Sequence, residues 1–262
     1  MAGISLHGDE NFFVNPYFGQ SRTFEDALLA KDKICLNFDS MNQELVERIM
    51  QQTDAPLLIQ QLNERIEEEH ARRLSFYEWI DEHTKAEFIN GKIVVHSPAK
   101  KRHLTVIKLL SRLLSLYSDS KNIGETFCEK AMIALTRNDY EPDIVFFKTE
   151  KAAAFEEDQV LFPAPDFVVE VLSKKTQKVD RTTKKEDYAA HGIAEYWIID
   201  PEKEKIEQYL LLQPHDKTYF EPYIYLRDED ITSKVIEGFT IPVKAVFDEA
   251  VNMATLQVLM KG

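Results

Sequence analysis

The sequence predicts an α/β fold with a mixed sheet flanked by helices. Three observations predict it. Apolar runs of strand length, among them DIVFF, DFVVEVL and EYWIID, recur through the second half of the chain. Between them, two stretches read as helices: one after Pro98 spaces Leu104, Ile107, Leu110, Leu113 and Leu114 along one face, and one covers roughly 181–191. Asn90-Gly91 separates AEFI from KIVVHS, and a tight hairpin favours that dipeptide because both central residues need positive φ.

Each element follows in order. Residues 1 to about 39 mix aromatics, Asn, Gly and Pro without a period and receive no element. A short helix opens at Ser40 and sets Leu45, Val46, Ile49 and Met50 on one face. A second, capped by Asp54, tolerates Pro56 in its first turn and stacks Leu58, Leu62 and Ile66. Ser75 caps a third short helix, FYEWIDEH. After the hairpin and the helix opened by Pro98, strands AMIALT and DIVFF are separated by RNDYEP, and a loop rich in Ala and acids runs to Pro165. DFVVEVL, apolar on both faces, reads as a central strand. The next helix ends at Gly192, suited to a left-handed C-terminal residue. EYWIID is a buried strand stopped by Asp200-Pro201; IEQYLLL, YFEPYIYL and a helix near 250–260 complete the body. Residues 1–73 form a partly helical extension and 74–262 the α/β domain.

Composition bounds the function. No run approaches the roughly 18 apolar residues of a membrane span, and the N-terminus lacks a basic start before an apolar block, so a cytoplasmic protein is expected. Cys35 and Cys128 are too few for a disulfide framework or a thiolate metal site. The formal net charge of −13 argues against general polyanion binding, but clustered cations matter more than the total. Lys100, Lys101, Arg102, Lys108 and Arg112 fall in an acid-free stretch, and from 174 to 185 five lysines and Arg181 face only Asp180. These are either solvated helix faces or a nucleic-acid surface.

Two carboxylates interrupt apolar strands. Asp143 alternates with Val145 and Phe147, and Glu170 with Val168 and Leu172. A charge there is costly unless a cation or several donors compensate it. A hard divalent ion such as Mg²⁺ is one answer; pairing with Arg181 or a lysine, or a strand-end cap, is the other.

The segments AEFINGKIVVHSPAKKRH, EPDIVFF, PAPDFVVEVLSKKT, DRTTKKEDYAAHGIAEYWIIDP and IEGFTIPVKAVF, in this order, resemble the Uma-two family of restriction endonucleases, a branch of the PD-(D/E)XK nucleases. The resemblance implies a restriction-endonuclease-like sheet and metal-dependent hydrolysis of DNA phosphodiesters with Mg²⁺ or Mn²⁺. It puts the family's acids at Asp143 and Glu170. The superfamily lysine two residues after the second acid is absent, since position 172 is Leu, and the resemblance moves it to Lys184 on the following helix. Lys184 shares a face with Tyr188, whereas Lys185 points about 100° away. Glu87 matches a family acid, as a ligand or orienting group or else an exposed strand residue. His103 matches a position on the basic helix, where a lone His is otherwise a packed or surface residue. With Lys100, Lys101, Arg102, Lys174, Lys175 and Arg181 it forms the expected DNA surface. Ser173 reads as a turn cap or a hydrogen-bond partner near the site, Tyr188 and Trp197 as core or support. A homodimer is expected. The competing readings are a catalytically inactive interaction module of the same fold and a small phosphoester hydrolase.

Overall fold

The computed structural model describes residues 43–261. The chain divides into two compact units, 1–55 and 56–262. In the first, residues 43–50 are helical and leave Leu45, Val46 and Met50 exposed. The unassigned segment 1 to about 39, Ser40 and Cys35 lie outside the described residues.

Helix α1 (Ala55–Trp79) is one unbroken element of 25 residues. The expected stop before Ser75 does not occur. Its middle, NERIEEEHARRL, holds strong helix formers and neither Gly nor Pro. Ser75 turns its hydroxyl back to the Ala71 carbonyl, at 3.1 Å, instead of capping a new start. The C-terminal half is anchored on the body: Phe76 is fully buried beside Phe88, with ring centroids 5.8 Å apart. Arg73 forms an ion pair with Asp139 at 2.6 Å.

Strands β1 (Ala86–Ile89) and β2 (Lys92–Val95) form the predicted hairpin. Its turn residues, Asn90 and Gly91, have φ of 49° and 76°. Helix α2 (Lys101–Lys121) starts three residues after Pro98, behind an extended Lys100. Next come β3 (Gly124–Cys128), β4 (Met132–Ala134), β5 (Asp139–Tyr140) and β6 (Ile144–Lys148). The expected loop to Pro165 instead holds a short α3 (Thr149–Ala152) and β7 (Leu161–Phe162), which pairs parallel to β4. Beyond β8 (Phe167–Val171), a turn of α-helix (Gln177–Val179), a π-helical turn (Asp180–Lys184) and α4 (Lys185–Ala190) run without a break. Strands β9 (Glu195–Asp200), β10 (Lys205–Leu210) and β11 (Tyr223–Leu226) follow, the last much shorter than YFEPYIYL suggests. The pair β12 (Asp230–Thr232) and β13 (Thr240–Pro242), a 3-10 turn (Val243–Val246) and α5 (Glu249–Leu259) end the chain.

A six-stranded sheet, ordered β11-β10-β9-β8-β6-β3, forms the centre. Only β8 and β9 pair in parallel, so the sheet is mixed. Strand alternation splits its side chains between two cores. Ile144, Phe146, Phe167, Val169 and Trp197 pack with Leu110, Leu113 and Leu114 of α2. On the other face, Val145, Phe147, Val168 and Ile198 pack with Tyr140, Tyr188 and Tyr196. A second sheet, β2-β1-β5-β4-β7, was not foreseen as separate. It contributes Ile89, Ile133 and Tyr140 to the same core as Val145 and Phe147, and this is where the polar residues gather.

Candidate active site

Asp143 stands just before β6. The register pairs Ile144 with Val169 and Val145 with Val168, and one further step sets Asp143 opposite Glu170. Cross-strand partners point to the same face, so the two carboxylates share one. The Asp143 side chain is held at three points. Oδ2 accepts from the Val171 N–H at 2.8 Å. Oδ1 lies 3.2 Å from His103 Nε2 and 3.5 Å from Lys85 Nζ. Burial favours the neutral acid, but His103, Lys85 and the Val171 N–H outweigh it and hold the carboxyl below its ordinary range.

Glu170 lies in β8 and is 5% exposed. Its Oε1 accepts from Lys184 Nζ at 2.8 Å and from the Tyr188 hydroxyl at 2.9 Å. Glu87 comes from β1 of the other sheet and is equally sealed, at 1% exposure, which removes the exposed-strand alternative. Its Oε1 accepts from Lys184 Nζ at 2.8 Å and from the Glu141 N–H at 3.1 Å, while Oε2 lies 3.0 Å from His96 Nε2.

Lys184 therefore joins the two sheets through Glu87 and Glu170. A π-helical turn carries it, a local widening common at functional sites. Its ammonium also lies 5.5 Å from the Tyr140 ring centroid. Lys185 points elsewhere, with Nζ 5.7 Å from the Tyr209 ring centroid. A third carboxylate, Asp180, brings Oδ1 to 3.8 Å from Lys184. Asp180 is 1% exposed, and neither of its oxygens completes a hydrogen bond.

One ammonium thus faces three carboxylates. Burial opposes the charge on Lys184, but Glu170, Glu87 and Asp180 together raise its pKa well above the ordinary lysine value. For Glu87, burial is outweighed by Lys184 and His96, and the carboxyl stays low. For Glu170 burial wins over Lys184, and the neighbouring acids Asp180, Asp143 and Glu87 add to it, pushing the carboxyl up to about 8. Asp180 rises to about 6 for the same leading reason. Around Lys184 the carboxylates outnumber the ammonium that faces them, and carboxylate oxygens suit a hard cation. Among the described residues no three His, Cys, Asp or Glu side chains are arranged to hold an ion unaided. Asp143 and Glu170 would be the two carboxylates to hold a Mg²⁺ there, which ordinarily takes its other ligands from water and phosphate.

The basic residues are dispersed differently from the helical reading. His103 is at Asp143. Arg102 pairs with Glu202 at 3.0 Å, and Lys175 donates to the Ser97 hydroxyl at 3.0 Å. Lys100, Lys101 and Lys174 are exposed. Ser173 accepts from the Thr176 N–H at 3.1 Å, as a turn cap does. Trp197 is core, and donates to Glu195 at 2.6 Å. Tyr188, read from sequence as core or support, is buried and donates to Glu170 at 2.9 Å. Sequence reasoning missed Lys85, His96 and Asp180.

Arg181 is not free either. It forms two bonds to Glu207, at 2.6 and 3.2 Å. Burial would raise Glu207, but Arg181 and Lys205 outweigh it and lower its pKa. A carboxyl depressed in the folded state stabilises above its unfolded pKa, and that contribution disappears as pH falls through the folded value. Between roughly pH 5 and pH 3, the melting temperature should therefore fall more steeply for the native chain than for Glu207→Gln. Parallel slopes in thermal melts would contradict this.

Comparison with known proteins adds the family. The Uma2 model, described as "putative restriction endonuclease", matches residues 73–244, a stretch that includes Glu87, Asp143, Glu170 and Lys184. The chain belongs to the Uma2 family. The crystal structure of a "putative nuclease belonging to DUF820" from Anabaena variabilis ATCC 29413 is similar to it, with a TM-score of 0.57 at 20% identity. The superposition covers 66% of this chain and 94% of that one, and shows a shared nuclease-like fold. No curated protein matches. Among the described residues, no helix of this Uma2 protein is long and apolar enough to cross a membrane.

Proposed function

We propose that this Uma2 protein is a metal-dependent endonuclease that hydrolyses phosphodiester bonds of DNA. The observation that carries the reading is Asp143 set opposite Glu170 with the Lys184 ammonium bonded to Glu170. Asp143 and Glu170 would hold one Mg²⁺ or Mn²⁺. When bound, such an ion polarises a phosphoryl oxygen and lowers the pKa of a coordinated water. The chain's own groups do the rest. Lys184 orients the attacking water and offsets charge developing on the phosphate. Tyr188 and Glu87 fix the lysine and its acid; His96 and the Glu141 N–H fix Glu87 in turn. The buried network loses little freedom when substrate arrives.

Cutting both strands of a duplex calls for two sites, so we place the protein as a homodimer. Incubation with supercoiled plasmid in Mg²⁺, Mn²⁺ or EDTA tests both statements. Cleavage with either metal and none in EDTA is the expected result, with linear product appearing early. Intact plasmid in all three would contradict the nuclease reading, and nicking without linearisation would contradict paired sites.

A further inference from the structure

A nuclease must hold the phosphates that flank the one it attacks, and several cations picked out in the sequence are engaged elsewhere. Arg102 is paired with Glu202, Arg181 with Glu207, and Lys175 bonds Ser97. Two other lysines occupy the neighbourhood of Asp143. Lys85 precedes β1 and brings Nζ to 3.5 Å from Asp143 Oδ1. Lys130 follows β3, with Nζ 3.7 Å from Glu141 Oε1, and donates to the Thr84 carbonyl at 2.5 Å, one residue from Lys85. Three chain segments thus converge: the approach to β1, the exit from β3, and the Glu141-Pro142-Asp143 run before β6.

These two ammonium groups differ from that of Lys184 in access. Their side chains are 27% and 44% exposed, against 3% for Lys184. Their carboxylate distances are long for charge-assisted bonds, which run near 2.8 Å. The ammonium ends reach water although both carboxylates are buried, so a phosphate can approach these same ammonium groups from outside. A lysine is also a mobile point charge, suited to a backbone phosphate whose position shifts with sequence.

We propose that Lys85 and Lys130 form a phosphate-binding pair that holds the nucleic-acid backbone beside Asp143. This rests on the nuclease reading and names the surface along which its substrate lies. The alternative is that both lysines only balance the charges of Glu141 and Asp143.

Fluorescence anisotropy with a short fluorescein-labelled duplex, in Ca²⁺ or EDTA over a salt series, separates the two. Lys85→Ala and Lys130→Ala should each weaken binding and reduce the slope of log affinity against log salt by about 1, and the double variant by about 2. Lys85→Arg should restore the slope. Lys244→Ala, on the 3-10 turn packed against the opposite face of the central sheet, should leave it unchanged. Thermal melts establish that each variant is folded. If the protein binds duplex and the lysine variants keep its slope, the phosphate pair is overturned while plasmid cleavage still judges the nuclease reading. If the protein binds no duplex in either condition, both are overturned.

Discussion

Lys184→Ala is expected to slow the chemical step of cleavage by about 10²- to 10⁴-fold, the range for removing a positioned acid–base or charge-stabilising group. Mn²⁺ affinity should change far less, because Asp143 and Glu170 remain. Two changes follow from one deletion. The attacking water loses its partner, and Glu87, Glu170 and Asp180 lose the one lysine that pairs with all three among the described residues. Lys184→Arg keeps the charge and separates folding from chemistry. Single-turnover cleavage with calorimetric metal titration measures both. Cleavage at the native rate by Lys184→Ala would remove the residue from the machinery.

Arg73→Met is expected to cost about 3–5 kcal/mol of stability, the usual result of removing one partner from a buried ion pair. The Arg73 side chain is 13% exposed and that of Asp139 0%. Arg73 gives Asp139 two bonds, at 2.6 and 2.7 Å, and gives the Leu135 carbonyl another at 2.6 Å. Afterwards Asp139 would keep the Tyr77 hydroxyl, at 2.7 Å, as side-chain donor. Burial and Asp139 push that phenol up to about 12, so it stays a neutral donor, and a neutral hydroxyl replaces none of the lost positive charge. Arg73→Met with Asp139→Leu should recover much of the loss, since no charge is then stranded. Urea unfolding of the single variant with a loss under ~1 kcal/mol would place the pair among surface bridges instead.

What could be read in the sequence and what could not follow from range. Asp143 and Glu170 stand out because the period of a strand is two and each breaks an apolar face; local alternation suffices. Lys184 comes from the family resemblance, with its spacing to Tyr188 separating it from Lys185, and the structure sets Lys184 and Tyr188 at Glu170 Oε1. Asp180, four residues before Lys184, lies on the same helical face, but a single acid among basic residues gives no signal of its own. His96 is open to the hairpin register, which sets Glu87 opposite Val94 and His96 two residues on along the same face. Lys85 could not be read that way, because its partner Asp143 lies 58 residues away, just before β6. The partners of Arg102 and Arg181 likewise come from distant segments, so their helices looked more basic than they are. Helix α1 shows the opposite error. Ser75 carries a local cap signal, and the continuous run of helix formers before it overrides that signal.

Asp143 carries the carboxylate proposed to hold the ion. Asp143→Asn keeps the shape of the side chain and removes its charge. Plasmid cleavage in Mn²⁺, with circular dichroism on the same samples, decides the matter. The expected result is a folded variant whose cleavage rate falls at least about 10²-fold, the scale of a lost transition-state electrostatic contact. A folded Asp143→Asn that cuts at the native rate would contradict the metal-site assignment and the mechanism built on it.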